Sequence, residues 1–444
     1  MILRVFYKSY FSFIIIFFPF LIFGQTSHVT LLNDSSNWKL LVNGQPFYIK
    51  GAGGEKHLDL LAEVGGNTIR TWGVENAESV LNYAHSLGIK VMLGLWVQHE
   101  RHGFDYSDTS KVNLQLNNFR EIVKKYKNHP ALLIWCVGNE YDLFYTNEKV
   151  WGAVNDIAKM IHKEDPNHPT ATVTAGTDFK KLKHVMTDLS EVDIYGINTY
   201  GDIGNVKAVL DEGDLDKPYM ITEWGPTGHW EISQTIWGSS IEQTSSEKFE
   251  VYRKRYHNYI ESNSDQCIGS FAFLWGHKQE HTSTWYGLFS EQGMPTEVID
   301  ALEFSWKGEY PDNRSPSIDS VYFQNQLLTK DIILKPNHKY TFEVFCNDLN
   351  DDKLTYKWEL YPESTDLKSG GDKESKPDII WGKIKGGKNK NIILKAPTDE
   401  GAYRLFLFVD DGVKQAYMNV PFYVEYLNIK KLKFKILEIE KVEL

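Results

Sequence analysis

The sequence is poor in cysteine and has fewer basic than acidic residues, 48 Lys and Arg against 59 Asp and Glu. Only Cys136, Cys267 and Cys346 occur, and so sparse and odd a count argues against a disulfide framework. Two of them fall within predicted strands, so we expect buried, unreactive thiols. The formal charge of −11 argues against a nucleic acid as the partner.

The sequence also lacks a long apolar run. Its most apolar stretch is short and lies near the N-terminus. Arg4 and Lys8 precede an apolar run over residues 11–23, which ends at Gly24. This order is typical of a secretory signal peptide, and the run is short for a membrane span. We therefore expect residues 1–24 to be removed and the protein to be secreted or periplasmic, without stable membrane insertion.

Aromatic residues, by contrast, are abundant at 14% of the chain, with 13 tryptophans. The 444 residues exceed one ordinary domain, and 42% of them are hydrophobic, which is enough to bury a large core. Aromatic side chains suit a carbohydrate cleft as well as a core, so composition alone does not distinguish the two.

Strand-like and helix-like patterns alternate over residues 47–306. Each unit is an apolar run followed by an amphipathic segment that Gly or Pro closes, and eight such units follow one another. Eight parallel strands that close on themselves form a (β/α)8 barrel of about 250 residues. A doubly wound sheet is the competing layout, but GAGGE at residues 51–55 is a weak match to its phosphate-binding turn. We predict an α/β fold with a TIM barrel over residues 25–310.

Residues 311–427 lack this alternation. A polar, proline-bounded linker, PDNRSP, opens the region, and short alternating runs without a convincing helix follow it. Regular short strands predict an all-β immunoglobulin-like sandwich. Acidic residues at 348–352 and 410–411 are assigned to turns rather than to calcium, and no metal site is predicted. The charged residues 428–444 are predicted to be a loosely held tail.

Two of the predicted barrel strands end on glutamate. The run LLIWCV stops at Gly138-Asn139-Glu140, and Glu223 ends the run MITE. In this fold the chemistry lies at the C-terminal ends of the strands, and units four and seven of a closed barrel share one mouth. Two carboxyls about 5–5.5 Å apart suit double displacement at a sugar, provided that their environments separate their pKa values. Two structural carboxylates are the alternative.

This arrangement resembles clan A of the retaining glycoside hydrolases, in which an Asn-Glu pair ends strand four and a Glu ends strand seven. The resemblance implies that Glu140 is the general acid and then the base, and that Glu223 is the nucleophile. It also implies that Asn139 binds the sugar 2-hydroxyl. Arg70, on strand two, matches the clan's arginine there and would keep Glu223 ionised.

The same resemblance assigns further contacts around the reacting sugar. Tyr200 would hydrogen-bond the nucleophile, with Asn198 as a rival for that place. Trp275 ends strand eight, where the clan has an aromatic platform beneath the sugar, and His99 would touch the same subsite. Aromatic residues at or after the ends of strands seven and eight would build further subsites, or would only cover the barrel rim: Trp224, Trp230, Trp237, Trp285 and Tyr286.

The order of signal, barrel and sandwich, with the segment WGHKQEHTSTWYG after strand eight, looks like glycoside hydrolase family 158, with some likeness to family 2 barrels. Members of family 158 are endo-β-1,3-glucanases that act on laminarin-type glucans. We expect a monomeric retaining enzyme of this kind, which needs no cofactor because the two carboxyls perform the chemistry. We also expect the sandwich to brace the barrel rather than to bind glycan, because no aromatic stripe stands out on it. The alternatives are another clan A β-glycosidase (a β-mannanase, a β-galactosidase or a glucan transglycosylase) or a non-catalytic carbohydrate-binding protein.

Overall fold

The computed structural model describes residues 26–35 and 37–426. The predicted signal peptide, residues 1–24, and the predicted tail, residues 428–444, lie outside the described residues. In the part of the chain that is described, no helix is both long and apolar enough to cross a membrane.

A small antiparallel sheet precedes the barrel. Its strands are β1 (Val29–Asp34), β2 (Asn37–Val42) and β3 (Gln45–Pro46). Asn43 and Gly44 connect β2 to β3, and both have positive φ, at 52° and 79°. Two left-handed residues in succession give the tight turn that matches the twist of a hairpin.

Eight parallel strands follow and close into a barrel, as the sequence predicts. Neighbouring strands are consecutive in the chain, and the last strand pairs with the first. The strands are β4 (Ile49–Gly53), β5 (Thr68–Arg70), β6 (Lys90–Leu95), β7 (Leu132–Val137), β8 (Thr170–Ala175), β9 (Ile194–Asn198), β10 (Tyr219–Trp224) and β11 (Cys267–Ala272).

Helices cover the outside of the barrel, which explains why its strands read as continuous apolar runs. All six residues of β7 are buried: Trp135 and Val137 pack in the outer core, while Ile134 and Cys136 fill the barrel interior. The helices are α1 (Leu58–Glu63), α2 (Ala77–Ser86), α3 (Thr109–Tyr126), α4 (Lys149–Glu164), α5 (Phe179–Thr187), α6 (Val206–Glu212), α7 (Ser245–Arg255) and α8 (Glu297–Lys307).

The remaining strands form two sheets that share one hydrophobic core. One sheet has the order β13-β12-β15-β18-β17 and the other β14-β20-β19-β16. We call residues 317–424 the C-terminal β-domain, whose immunoglobulin-like character stays a prediction. Its strands are β12 (Ser317–Phe323), β13 (Gln326–Leu327), β14 (Ile332–Leu334), β15 (Lys339–Asn347), β16 (Thr355–Pro362), β17 (Ile384–Lys385), β18 (Asn391–Lys395), β19 (Gly401–Asp410) and β20 (Gln415–Val424).

The three cysteines are free thiols, and two of them agree with the predicted burial. Cys136 and Cys267 are buried, whereas Cys346 on β15 is only half-buried. Burial raises the pKa of each thiol, so the reactive thiolate form is disfavoured.

A buried ion pair joins the barrel to the C-terminal β-domain. Lys248 of α7 pairs with Glu242 at 2.6 Å and donates to the carbonyl oxygen of Trp285 at 2.9 Å. The second carboxylate oxygen of Glu242 accepts from Thr282 at 2.6 Å and from Asn419 of β20 at 2.5 Å. The two domains therefore share one polar network around this charge pair, and Asn419 extends it to Arg404 of β19 at 2.6 Å.

Removing the cation of this network should destabilise the protein strongly. Lys248→Met leaves Glu242 buried without its counter-ion, a change that costs about 3–5 kcal/mol when one partner of a buried pair is lost. Lys254→Met on the same helix, where the side chain is 64% exposed, should stay within about 0.5 kcal/mol of wild type. Denaturant unfolding measures both variants. Equal losses for the two would show that the buried pair has no special role.

Candidate active site

The C-terminal ends of the barrel strands surround a cavity of about 810 Å³. β7 and β10 are the fourth and seventh barrel strands, and Glu140 and Glu223 at their ends both line this cavity, together with Asn139, Asn198 and Tyr200. Its volume lies in the upper part of the range for small-molecule sites. The structure thus brings the two predicted glutamates to one mouth.

The chain turns sharply after β7, and this turn aims Glu140 into the cavity. Gly138 has a φ of 79°, and a Cβ there would lie 2.7 Å from the ring of Tyr141. Glu140 itself has a φ of 48°, and its N–H donates to the carbonyl oxygen of Val173 on β8 at 3.0 Å. A left-handed conformation costs a non-glycine residue about 1–3 kcal/mol, and such strain is concentrated at functional sites.

Arg70 lies fully buried beneath the two glutamates. Its Nη1 donates to Glu223 Oε1 at 3.0 Å, to the Thr222 carbonyl oxygen at 2.8 Å and to Asn198 Oδ1 at 3.2 Å. Its Nη2 donates to Asn139 Oδ1 at 2.5 Å. A buried guanidinium needs such partners, and here it compensates the negative charge of Glu223 inside the barrel.

Two further donors fix the carboxylate of Glu223. The indole N–H of Trp72 donates to its Oε1 at 2.9 Å, and the Tyr200 hydroxyl donates to its Oε2 at 3.1 Å. The Tyr200 contact is the one that the resemblance implies. Trp72 is missing from the sequence prediction, although it stands two residues after Arg70, and alternation along an extended chain places such residues on the same side.

Glu140 has a different environment from Glu223. Burial and the negative charge of Glu223 raise the pKa of Glu140 from 4.5 to about 7, against the hydrogen bond from Asn198 Nδ2 to its Oε1 at 2.8 Å. Asn198 therefore contacts Glu140 and does not replace Tyr200 at Glu223. Glu140 therefore holds a proton near neutral pH, whereas Glu223 is paired with the Arg70 cation.

His99 does not line the cavity, which corrects the expectation that it touches the sugar. It is buried, its Nε2 lies 2.8 Å from the Asn139 carbonyl oxygen, and Arg101 Nε donates to its Nδ1 at 3.1 Å. Since Nδ1 accepts, the proton is on Nε2 and is donated to Asn139. Burial and the charge of Arg101 lower the pKa of His99 to about 4, so the ring supports the backbone of Asn139 as a neutral group.

Three tryptophans predicted to contact the substrate are instead packed in the interior. Trp224, Trp275 and Trp285 are at most 1% exposed, and none of them lines the cavity. For Trp275 the reason lies where β11 ends, at Ala272: the chain turns there and presents Phe273 to the cavity, while Trp275 packs against Phe289. Trp224 packs against Tyr252, and Trp285 donates to the Thr227 carbonyl oxygen at 3.0 Å. All three tryptophans therefore pack in the core and do not stack on a substrate. Composition alone does not distinguish these two roles.

Other aromatic side chains form the accessible surface of the cavity. Trp230 is 58% exposed and Phe144 is 65% exposed, and both line it. Of the two remaining loop aromatics, Trp237 packs against Tyr423 of the C-terminal β-domain, and Tyr286 is buried. Trp230 is therefore the predicted subsite residue that the structure places in the cavity.

Acidic side chains outnumber basic ones around the cavity. Each lining lysine already pairs with a carboxylate: Lys181 with Asp142, Lys278 with Glu280 and Lys368 with Asp366, at 2.7–2.9 Å. The lining carboxylates are Glu140, Asp178, Asp202, Glu223, Glu231 and Glu280. This balance disfavours an anionic substrate, because like charges repel.

The acidic residues of the C-terminal β-domain hold turns. Carboxylate oxygens of Asp348, Asp352 and Asp411 lie within 4.8 Å of one another. Asp348 Oδ1 accepts from the backbone N–H groups of Asn350 and Asp352, at 2.9 and 3.1 Å. Asp411 Oδ1 likewise accepts from backbone N–H groups two and three residues ahead. This is the turn chemistry that the sequence predicts.

Comparison with known proteins agrees with the class that the fold and the two carboxyls define. Residues 55–273 match the TIM barrel domain of the glycosyl hydrolases family 2. A β-glucuronidase from Streptococcus agalactiae is 24% identical over 340 residues, which cover 62% of this chain and 52% of that protein. A β-galactosidase from Thermoanaerobacter pseudethanolicus is 27% identical over 204 residues, which cover 42% of this chain and 24% of that protein.

A solved structure supports the fold. The β-glucuronidase from Ruminococcus gnavus in complex with C6-substituted uronic isofagomine matches with a TM-score of 0.51 and 14% identity, over 63% of this chain and 52% of that chain. The chain spans about half the length of the β-glucuronidase from Streptococcus agalactiae. The barrel of this protein is therefore similar to the TIM barrel domain of the glycosyl hydrolases family 2.

The raised pKa of Glu140 predicts a pH-dependent effect on stability. Because the fold favours the neutral form, this stabilisation is complete below pH 4.5 and is lost as the pH rises through about 7. Glu140→Gln stays neutral at every pH. We expect its advantage in unfolding free energy over wild type to grow by about 3 kcal/mol between acidic and mildly alkaline pH, at about 1.4 kcal/mol per pKa unit.

Chemical unfolding across this pH range measures the effect. Glu121→Gln on α3, where the carboxylate is exposed, is the matched control and should show no such trend. If the difference between Glu140→Gln and wild type stays constant with pH, Glu140 does not have a raised pKa.

Proposed function

We propose that the protein is a retaining β-glycosidase that cleaves β-1,3-glucosidic bonds within laminarin-type glucans. Glu140 is the general acid and then the base, and Glu223 is the nucleophile. The observation that carries the proposal is the unequal environment of these two carboxyls in one cavity. Arg70 compensates the charge of Glu223, whereas burial beside that charge keeps a proton on Glu140.

In the first step the glycosidic bond breaks. Glu140 donates its proton to the leaving oxygen while a carboxylate oxygen of Glu223 attacks the anomeric carbon from the opposite face. Oε1 of Glu223 accepts from both Arg70 and Trp72, whereas Oε2 accepts only from Tyr200 among the residues that the structure describes. The less engaged Oε2 is therefore the attacking atom. The product is an α-linked glycosyl ester, with the leaving sugar released as an alcohol.

In the second step water hydrolyses the ester. Ester formation removes the negative charge of Glu223, which is one of the causes of the raised pKa of Glu140. The pKa of Glu140 therefore falls at the stage where it has to act as a base. Glu140 takes a proton from water, the oxygen attacks from the β face, and the β configuration is restored.

Asn139 is placed to bind the sugar 2-hydroxyl. Its Oδ1 accepts from Arg70 Nη2 at 2.5 Å and from Asn198 Nδ2 at 3.1 Å. These bonds use the oxygen and so orient the amide, which leaves the nitrogen to donate to a hydroxyl of the substrate. A hydrogen bond to the 2-hydroxyl gains strength in the transition state.

The cavity favours a neutral sugar chain. Its six lining carboxylates and three paired lysines do not suit a uronate, and Trp230 and Phe144 offer exposed aromatic faces for stacking on sugar rings. The likeness of the segment after strand eight to family 158 supports a β-1,3-glucan. A β-glucuronidase is the second candidate, because several relatives carry that name.

A substrate panel tests this choice. Laminarin, β-mannan, an aryl β-glucuronide and an aryl β-galactoside are offered to the purified protein. We expect hydrolysis of laminarin, with the β-anomer as the first product in proton NMR. Activity on the glucuronide without activity on laminarin would contradict the proposed substrate, and an α-anomer would contradict retention.

Azide distinguishes the roles of the two glutamates in the same assay. With an activated aryl glycoside, azide fills the space left in Glu223→Ala and attacks from the α face, which gives an α-glycosyl azide. In Glu140→Ala the ester still forms, and azide attacks it from the β face. Glu140→Gln should slow hydrolysis of laminarin about 10²–10⁴-fold, whereas Glu121→Gln should not. The same anomer from both alanine variants would contradict the assignment.

A further inference from the structure

One segment of the C-terminal β-domain reaches the cavity. Residues 366–374, which we call the wall segment, lie between β16 and β17. Four residues at its tip line the cavity beside those of the barrel: Lys368, Ser369, Gly370 and Gly371. The cavity is therefore built by both domains, although the two glutamates belong to the barrel alone.

Barrel loops hold the wall segment from two sides. Arg101, after β6, donates to the Ser369 carbonyl oxygen at 3.1 Å and pairs with Asp372 at 2.7 Å. Lys278, after β11, donates to the Gly371 carbonyl oxygen at 2.8 Å. Because these contacts reach two backbone carbonyl oxygens as well as the carboxylate of Asp372, they fix the path of the wall segment.

The wall segment is also shaped to lie close to the barrel. Glu374 is buried, and its two carboxylate oxygens accept from the backbone N–H groups of Lys368, at 3.0 Å, and of His281 in the loop after β11, at 2.6 Å. Gly370 has a φ of 63°, and a Cβ there would lie 2.7 Å from the side chain of Leu143. This close approach requires glycine.

Barrel topology shows which side of the cavity the wall segment covers. β11, β4, β5 and β6 are consecutive around the barrel. A segment held by the loops after β11 and β6 therefore spans the mouth above β4 and β5. Residues after β8, β9 and β10, such as Thr177, Asp202 and Trp230, line the cavity across from it.

We propose that the wall segment is a specificity-determining part of the active site, which limits how far a glucan chain extends on the β4–β5 side. Lys368 and Ser369 contact the sugar ring at that end, and the glycine backbone closes the space beyond it. This role rests on the proposed function, since it assigns a further subsite for the same substrate. The C-terminal β-domain then selects substrate length in addition to packing against the barrel.

Two variants remove the wall segment to different extents. Asp366 Oδ2 accepts from both the backbone N–H and the hydroxyl of Ser375, at 3.0 and 2.8 Å, so the two ends are held together and residues 367–374 can be replaced by two glycines. Lys368→Ala combined with Ser369→Ala removes only exposed side chains and leaves Asp372 and Glu374 in place. Lys373→Ala is the matched control, an exposed lysine of the same segment that does not line the cavity.

Kinetics on β-1,3-glucan oligosaccharides of increasing length, with analysis of product lengths, test the proposal. The double variant should raise KM for long oligosaccharides about two- to tenfold, the value of one hydrogen bond. The glycine replacement should shift the products to longer chains, and Lys373→Ala should match wild type. Thermal unfolding of the double variant and the control verifies that both are folded.

Unchanged KM and unchanged product lengths in both altered forms, with an active wild type, would overturn the role of the wall segment alone. A wild type that hydrolyses none of these glucans would overturn the proposed function, on which that role rests. The two failures are therefore distinct.

Discussion

The buried guanidinium of Arg70 is the constraint on which the rest of the site depends. A charge inside a barrel is costly unless it is paired and hydrogen-bonded, and Arg70 meets both conditions with groups from three other strands or strand ends. It pairs with Glu223, and it binds the side-chain oxygens of Asn139 and Asn198. One cation thus orients Glu223, the proposed nucleophile, together with Asn139 and the Asn198 amide that contacts Glu140.

This arrangement makes the two carboxyls unequal. Glu223 receives three donors, whereas Glu140 has the Asn198 amide and the repulsion of a neighbouring charge. Ionisation of Glu140 is therefore coupled to the state of Glu223. In the proposed reaction the charge on Glu223 disappears when the glycosyl ester forms, and the acid becomes a base at the stage when a base is needed.

The sequence allows the barrel and its central residues to be predicted, because both follow from periodicity. Counting apolar runs places Glu140 and Glu223 at the fourth and seventh strand ends, and Arg70 on the second strand. Orientation after a strand ends does not follow from periodicity. Trp275 is therefore predicted as a platform although Phe273 faces the cavity, and His99 is predicted at the substrate although it supports the Asn139 backbone.

The contribution of the C-terminal β-domain depends on contacts between residues far apart in the chain, which no local pattern reveals. Arg101 and Asp372 are 271 positions apart, and their ion pair holds the wall segment at the mouth of the barrel. The same arginine donates to His99, which in turn donates to the carbonyl oxygen next to Glu140. A chain of polar contacts therefore links the C-terminal β-domain to Asn139, next to Glu140.

Burial and the neighbouring charge of Glu223 together raise the pKa of Glu140. The most direct measurement is a carbon-13 NMR titration of the glutamate side-chain carboxyls in wild type and in Glu223→Gln. We expect a Glu140 pKa of about 7 in wild type and a lower value in the variant, which lacks the neighbouring charge. A Glu140 pKa that is near 4.5 in wild type, or that does not change in Glu223→Gln, would contradict this expectation.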